Sequence, residues 1–304
     1  MHILLTNDDG IRAPGILAMH EALTLGTRDH RGQLGGAASR VLTVAPLTVQ
    51  SATSHGITFH EPLMTRDETL PHERDLPGER DNATGVAVDG RPADCVKIAV
   101  SSVWPARFGA GSKPDLLISG INAGANCGIN VIYSGTVAAA IEGAFLGIPS
   151  IAISLRMGRG KPRFDLAAAR ARHVLEKVLA ADALRPHEIL SINIPTTEDP
   201  GPGHQPPELA GVARHDPRAG DPAAMPKIRV CPMNVHGLID KYERRVSPMG
   251  DVYYWAAGHG LDFHATEEGS DVDLLLQGFI TVTPLKFDLT EHATVKAWRE
   301  RLEG

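Results

Sequence analysis

The first ten residues constrain this chain most. His2 to Thr6 is a short, mostly apolar run, and Asn7-Asp8-Asp9-Gly10 ends it in turn chemistry. A buried parallel strand that stops abruptly in polar residues opens many α/β proteins. In open α/β sheets, ligands gather beyond the carboxyl ends of the strands, so Asp8 and Asp9 are expected at a ligand-binding edge. Adjacent carboxylates at about 4 Å repel by roughly 4 kcal/mol at an effective dielectric of about 20. A hard divalent cation removes that penalty, and Mg²⁺ prefers one or two carboxylates plus waters and phosphate oxygens. The competing reading is an Asx turn at a helix N-terminus, which Asp and Gly also favour.

A second stretch, Pro114 to Gly147, tips the balance toward a site. Asp115 to Ser119 is another apolar strand with a polar end, and a loop rich in Gly and Asn follows over 120–128. Glycine lets backbone approach a ligand closely. Asparagine offers a neutral carbonyl oxygen to a cation already held by carboxylates. After Tyr133-Ser134-Gly135-Thr136, the residues Val137, Ala140, Ile141, Ala144 and Phe145 fall at helical spacing, ended by Gly147 and Pro149. Ser134 and Thr136 then sit at a helix N-terminus, where N–H groups and hydroxyls can hold a phosphate. A plain N-cap is the simpler reading, and the two are compatible.

The remaining pattern alternates strands and helices. Ile16, Met19 and Leu23 mark a first helix, Val41 to Ala45 a second strand, and Leu47 to Gly56 a site-side loop containing Ser51, Ser54 and His55. His55 invites an acid–base role because imidazole titrates near neutrality, but one loop histidine is more often a surface residue. Ile57 to Leu63 reads as extended, Thr65 to Asp81 as an exposed excursion, and Val86 to Val88 as a short strand. Pro92 suits a first helical position, with Asp94 beside the helix dipole. Strands over Ile151 to Leu155 and Ile189 to Ile194 flank a helix over Leu166 to Leu179. This alternation predicts a doubly wound sheet.

Beyond it, Pro200 to Pro226 is crowded with Pro and Gly, a loop or hairpin excursion like the polar connection Arg28 to Arg40. Strands are expected over Ile228 to Val230, Val252 to Trp255 and Phe279 to Thr283, with Tyr242 to Arg245 between the first two. A terminal helix runs over His292 to Leu302. His236, His259 and His264 lack acidic or Cys partners at ligand spacing and read as structural or rim residues.

Charge and cysteine content narrow the function. With 30 Lys plus Arg against 36 Asp plus Glu in 304 residues, the net charge of −6 argues against a nucleic-acid duplex or anionic membrane as partner. A mononucleotide is still allowed, because a local metal can supply positive charge. Cys95, Cys127 and Cys231 form neither a disulfide framework nor a zinc knuckle, so a cytoplasmic setting is expected. No signal peptide or membrane span is read from the sequence. Asn82-Ala83-Thr84 matches a glycosylation pattern that means little without secretion.

Several motifs occur in order: Leu4-Leu5-Thr6-Asn7-Asp8-Asp9-Gly10-Ile11, Ala45-Pro46 with Ser51 and Ile57-Thr58, and Pro92-Ala93-Asp94-Cys95-Val96. Ser119-Gly120-Ile121-Asn122-Ala123-Gly124-Ala125-Asn126, Tyr133-Ser134-Gly135-Thr136-Val137 and Thr281-Val282-Thr283-Pro284-Leu285 follow. Together they resemble the SurE (survival protein E) family of metal-dependent nucleotide phosphatases, over nearly the whole chain. The resemblance implies a Rossmann-like, doubly wound, mostly parallel sheet over 1–199 that carries the active site. Residues 200–304 would then hold a β-rich oligomerisation arm, the last core strand and the C-terminal helix.

It also implies one divalent ion per subunit, Mg²⁺ or Mn²⁺, on Asp8, Asp9, Ser51 and Asn122, with Asn126, Ser134, Gly135 and Thr136 around the phosphate. The implied activity is hydrolysis of nucleoside 5′-monophosphates, with 3′-monophosphates and short polyphosphate as further substrates, by a homodimer or homotetramer. Asp8 or Asp9 could deprotonate the attacking water or attack directly.

Three positions depart from the family pattern. Ala52 stands where Gly usually follows the Ser ligand, Gly90-Arg91 stands where Gly-Thr is usual, and Gly269-Ser270-Asp271 replaces Gly-Thr-Asp. Two other hydrolase types fit less well. Haloacid-dehalogenase-like phosphatases need Asp-x-Asp, and zinc deacetylases need a His that Thr6 and Asn7 do not supply. A non-catalytic nucleotide or metal sensor is the alternative function.

Overall fold

The computed structural model describes residues 1–24, 34, 40–71, 84–182, 184–198, 225–239, 241–257 and 261–304. The strands are β1 (His2–Thr6), β2 (Arg40–Pro46), β3 (Thr65–Thr69), β4 (Thr84–Val88), β5 (Leu116–Ala123), β6 (Ser150–Leu155), β7 (Ile189–Ile194), β8 (Ile228–Val230), β9 (Lys241–Val246), β10 (Val252–Ala257) and β11 (Ile280–Leu285). The helices are α1 (Pro14–Thr24), α2 (Pro92–Ile98), α3 (Trp104–Phe108), α4 (Gly135–Phe145), α5 (Phe164–Ala180), α6 (Asp271–Leu276) and α7 (His292–Leu302).

Nine strands form one sheet in the order β3-β4-β2-β1-β5-β6-β7-β11-β8, and β9 and β10 pair separately. Strands β4, β2, β1, β5, β6 and β7 run parallel. β3 and β11 join them antiparallel. The alternation in β1 explains the layering. Ile3 and Leu5 pack with Ile16, Met19, Ala171 and Leu175 of α1 and α5, whereas Leu4 packs with Cys95, Val96, Val137 and Ala140 of α2 and α4. Successive strand residues point to opposite faces, so one short strand feeds both cores. From β1 the chain winds outward to β2 and β4, then returns to β5 on the other side. The reversal between β1 and β5 is the topological switch point, where such sheets open a crevice.

Two segments differ from expectation. Strand β5 does not stop at Ser119 but continues through Gly120-Ile121-Asn122 to Ala123. Its pairing with β6 shifts between Ser119 and Asn122 and resumes with Asn122 opposite Ser154. Gly120 makes this possible. Its φ is +138°, and a Cβ there would stand 2.2 Å from the Ile153 carbonyl oxygen. Pairing with β6 thus overrides turn-like composition. The second segment is Thr65–Thr69, expected as an exposed excursion. It is an edge strand on β4, exposed except at Glu68. Glu68 takes ion pairs from Arg12 and Arg66, and charge on an edge strand suits a position that must not pair further. Ile57 to Leu63 joins no strand, and α6 was not anticipated. Most of the connection before Arg40, residues 72–83 with Asn82 and Ala83 of the glycosylation pattern, most of 200–226 and His259 lie outside the described residues.

Candidate active site

Four segments meet at the switch point. The end of β1 supplies Asp8, which is 4% exposed, and the half-buried Asp9. The loop after β2 is fastened to them by the Gln50 N–H, which donates to the Asp8 carbonyl at 2.7 Å, and by the Ile11 N–H, which donates to Pro46 at 2.8 Å. The end of β5 arrives through the Ala123 N–H, which donates to Asp9 Oδ2 at 2.8 Å. The N-terminus of α4 presses on Asp8 from the other side. A Cβ on Gly135 would lie 2.8 Å from the Asp8 Cβ, so only glycine permits this approach. Thr136 donates its hydroxyl to Asp8 Oδ1, and its backbone N–H bonds the same residue.

Electrostatics follow from this enclosure. Burial pushes the Asp8 carboxyl up to about 6, the Thr136 hydrogen bonds oppose the rise, and the Asp9 charge adds to it. Burial also raises Asp9, against the Ala123 N–H. The side-chain amide oxygen of Asn7 and the hydroxyls of Thr6 and Ser119 are buried without a hydrogen-bond partner. Such a site lacks positive charge. The available donors are all oxygens, and no group of three His, Cys, Asp or Glu forms a metal cage among the described residues. Two carboxylates plus neutral oxygens suit a hard divalent cation that keeps open positions for water and phosphate, so the donor set fits.

The other expected residues divide. Asn122 Nδ2 donates to the Gly124 carbonyl at 2.8 Å, which fixes its orientation and leaves Oδ1 free as a ligand. Ser51 is exposed on the loop that Gln50 ties to Asp8. Ser134 caps α4, its Oγ accepting from the Val137 N–H at 3.1 Å. That leaves its own hydroxyl hydrogen available, whereas the Thr136 hydroxyl is spent on Asp8. Gly135, the first helical residue, has an N–H with no intrahelical acceptor. Asn126 is 9% exposed and turned toward β6 and β7, donating from Nδ2 to Ser154 Oγ at 2.8 Å; its second amide hydrogen is uncommitted.

His55 is tied to helix α4. It bonds Glu142 at 2.9 Å and stacks on Phe145 with centroids 5.4 Å apart. Burial raises Glu142, but His55 and Lys97 together outweigh it and hold that carboxyl low. Asp94 is buried and accepts from Thr58 N, Thr58 Oγ1 and Arg91 N, a structural role as expected. Arg91 packs its guanidinium against Gly56 and donates to the Ile57 carbonyl at 3.3 Å, bracing the site-side loop. His236 pairs with Glu267.

Sequence reasoning missed the residues that hold the 122–128 segment. Asn193, wholly buried at the end of β7, pairs with the Asn126 backbone. Asp271 at the start of α6 accepts from the N–H groups of Gly128 and Asn234 at 2.8 and 2.9 Å. Its carboxyl is raised by burial against those bonds. Cys127, Phe263, Val272 and Leu275 form a small core around this junction. The one signal for Asn193 was a second polar residue, after Ser191, inside a short strand that is otherwise apolar.

Fold and site define a doubly wound α/β protein whose switch-point crevice holds a buried acidic pair against a helix N-terminus. The chain belongs to the SurE family: the family model "Survival protein SurE" matches residues 3–212. It is 35% identical over 301 residues to a protein named 5′-nucleotidase SurE from Desulforudis audaxviator, covering 99% of this chain and 97% of the relative. A protein of the same name from Rhodopirellula baltica is 36% identical over 305 residues, covering 99% and 100%. The crystal structure of SurE protein from Aquifex aeolicus superposes with a TM-score of 0.69 at 32% identity, covering all of both chains.

Proposed function

We infer that this chain is a 5′-nucleotidase, a divalent-metal-dependent phosphomonoesterase that hydrolyses nucleoside 5′-monophosphates to nucleoside and phosphate. The observation that carries the reading is the buried Asp8–Asp9 pair at the switch point, gripped by the α4 N-terminus, in a chain similar end to end to proteins named for that activity. Asp8, Asp9, the Ser51 hydroxyl and Asn122 Oδ1 would hold one Mg²⁺ or Mn²⁺. Bound there, the ion supplies charge neutralisation and Lewis acidity at the phosphoryl group.

The remaining work falls to the chain itself. The Ser134 hydroxyl, the Gly135 N–H and the free amide hydrogen of Asn126 orient the phosphoryl oxygens. Thr136 takes part in the cradle through Asp8, whose carboxylate it aims. Asp8 and Asp9 are the site's carboxylates for taking the proton of the attacking water.

Residues 1–199 serve as the core unit. The β9–β10 hairpin and α7, within 200–304, join subunits into a homodimer or homotetramer. Among the described residues no helix is long and apolar enough to cross a membrane. The three cysteines are free and buried, which supports a reducing, cytoplasmic setting.

The test is phosphate release from nucleoside 5′- and 3′-monophosphates and short polyphosphate, with Mg²⁺, with Mn²⁺ and with chelator. Release from 5′-monophosphates that chelator abolishes is expected. Nucleotide binding without release under any metal would instead favour a sensor.

A further inference from the structure

We propose that Tyr133 is a stacking platform for the nucleobase, so that an exposed ring at the rim separates nucleoside phosphates from other phosphomonoesters. The inference rests on the nucleotidase reading above and names the substrate contact that no sequence motif marked.

Four tyrosines occur in the chain. Three of them, Tyr242, Tyr253 and Tyr254, lie on the β9–β10 hairpin. Tyr133 alone lies beside the crevice. It is 57% exposed and has no ring contact or side-chain hydrogen bond among the described residues. Exposing an aromatic ring without a partner forgoes the burial such a ring usually finds, which marks it as a surface for a ligand.

Position supplies the rest. Tyr133 immediately precedes the N-cap Ser134 and stands two residues before Gly135, which touches Asp8. Two trans peptide steps span at most about 7.6 Å. A phosphate held at the α4 N-terminus therefore places the far end of its ribose, and the base, along this rim. Ile132, its neighbour in the chain, is exposed too, at 56%.

The platform is also braced. Ser54 donates its N–H to the Tyr133 carbonyl at 3.1 Å and its hydroxyl to the Ile132 carbonyl at 2.8 Å. Ser54 does so from a left-handed backbone, φ +54°, and Ala52 is left-handed too at +57°. Non-glycine residues persist in that conformation where surrounding contacts fix them, a pattern frequent at ligand-binding loops. Every base has a π-face, so stacking accepts purines and pyrimidines alike. A broad base range with purines ahead is expected.

The experiment compares the wild type with Tyr133→Ala and Tyr133→Phe on adenosine 5′-monophosphate and ribose 5-phosphate, which differ only in the base. Tyr133→Ala should lower the ratio of kcat/KM for the nucleotide over the sugar phosphate by roughly tenfold, within the range of base–aromatic stacking. Tyr133→Phe should keep the ratio within about twofold, because stacking needs the ring and not the hydroxyl. Calorimetric affinities for the same two ligands should show the same pattern. An unchanged ratio in Tyr133→Ala, in kinetics and in binding, overturns the assignment. The binding arm stands even without phosphate release, so a failure of the hydrolase reading is distinguishable from a failure of the platform.

Discussion

The side-chain amide of Asn193 pairs with both backbone polar groups of Asn126. Asn193 Oδ1 accepts the Asn126 N–H at 2.9 Å, and Asn193 Nδ2 donates to the Asn126 carbonyl at 2.9 Å. Both residues are buried. The backbone atoms fix the amide orientation without ambiguity, and the pair extends β7's ladder into the site segment. Asn193→Ala leaves the buried Asn126 N–H unpaired and its carbonyl with only the long 3.5 Å bond from the Ser191 hydroxyl, at a cost of about 1–3 kcal/mol for the stranded group. The expected outcome is a lower Tm together with at least a tenfold fall in kcat/KM. If Asn193 acts through Asn126, the Asn126→Ala and Asn193→Ala losses in kcat/KM will not add. Full additivity in the double mutant would show that Asn193 only stabilises the fold.

Asp8 makes the metal-free protein's stability pH-dependent in an unusual direction. Its folded value of about 6 lies above the ordinary 3.8, so the folded state holds the proton more tightly than the unfolded chain. The contribution is therefore fully present below pH 4 and is lost as pH rises through 6. Roughly two units at 1.36 kcal/mol each gives about 3 kcal/mol against the fold at pH 8. Asp8→Asn should then melt higher than wild type at pH 8 in chelator and no higher at pH 4. The same variant should lose at least about a hundredfold in turnover. Equal melting of the two proteins at pH 8 would contradict the burial argument, and near-wild-type turnover would contradict the metal assignment.

What the sequence disclosed and what it hid divide along physical lines. The parallel strands were legible because burial on both faces writes continuous apolar runs, as in β6 and β7. The acidic pair and the α4 cap were legible because turn and cap chemistry is local. Strand β3 was hidden because an exposed edge strand needs no apolar pattern, and Thr65 to Thr69 has none. The continuation of β5 was hidden because Gly120 and Asn122 look like a loop until β6 pairs with them. Asn193 escaped notice, and Asp271 was named in a motif without a role, for a related reason. Each serves a segment more than sixty residues away in sequence, and a one-dimensional pattern does not record such partners. The partners of His55 were hidden in the same way, since Glu142 and Phe145 lie on α4, far along the chain.

Ala52 should be improvable. Its φ of +57° places it in the left-handed region, at the position where glycine would be at no steric disadvantage. The left-handed conformation costs an L-residue roughly 1–2 kcal/mol, and glycine's greater unfolded-state freedom returns part of that gain. Ala52→Gly is expected to stabilise by about 0.5–1 kcal/mol, whereas Ala52→Val should destabilise by more, because branching at Cβ is least tolerated there. Thermal melts of the two variants should move in opposite directions, and a fall in Tm for Ala52→Gly would refute the strain.

Helix α7 and the β9–β10 hairpin leave large apolar side chains exposed. Helix α7 buries none of its residues, with Trp298 54% and Leu302 78% exposed. The β9–β10 hairpin is exposed along both strands and carries Tyr242, Tyr254 and Trp255. Apolar patches of this extent on a soluble surface mark an interaction site, and a second copy of the chain offers the same patches in return. Light scattering should give two or four times the chain mass for the wild type. Deleting 292–304, or combining Trp255→Lys with Tyr254→Lys, should lower that multiple. The active site draws on neither element, so each smaller species should keep a measurable metal-dependent activity. A wild type that remains monomeric at tens of micromolar would overturn the assembly reading, and an unchanged mass in both variants would place the interface elsewhere.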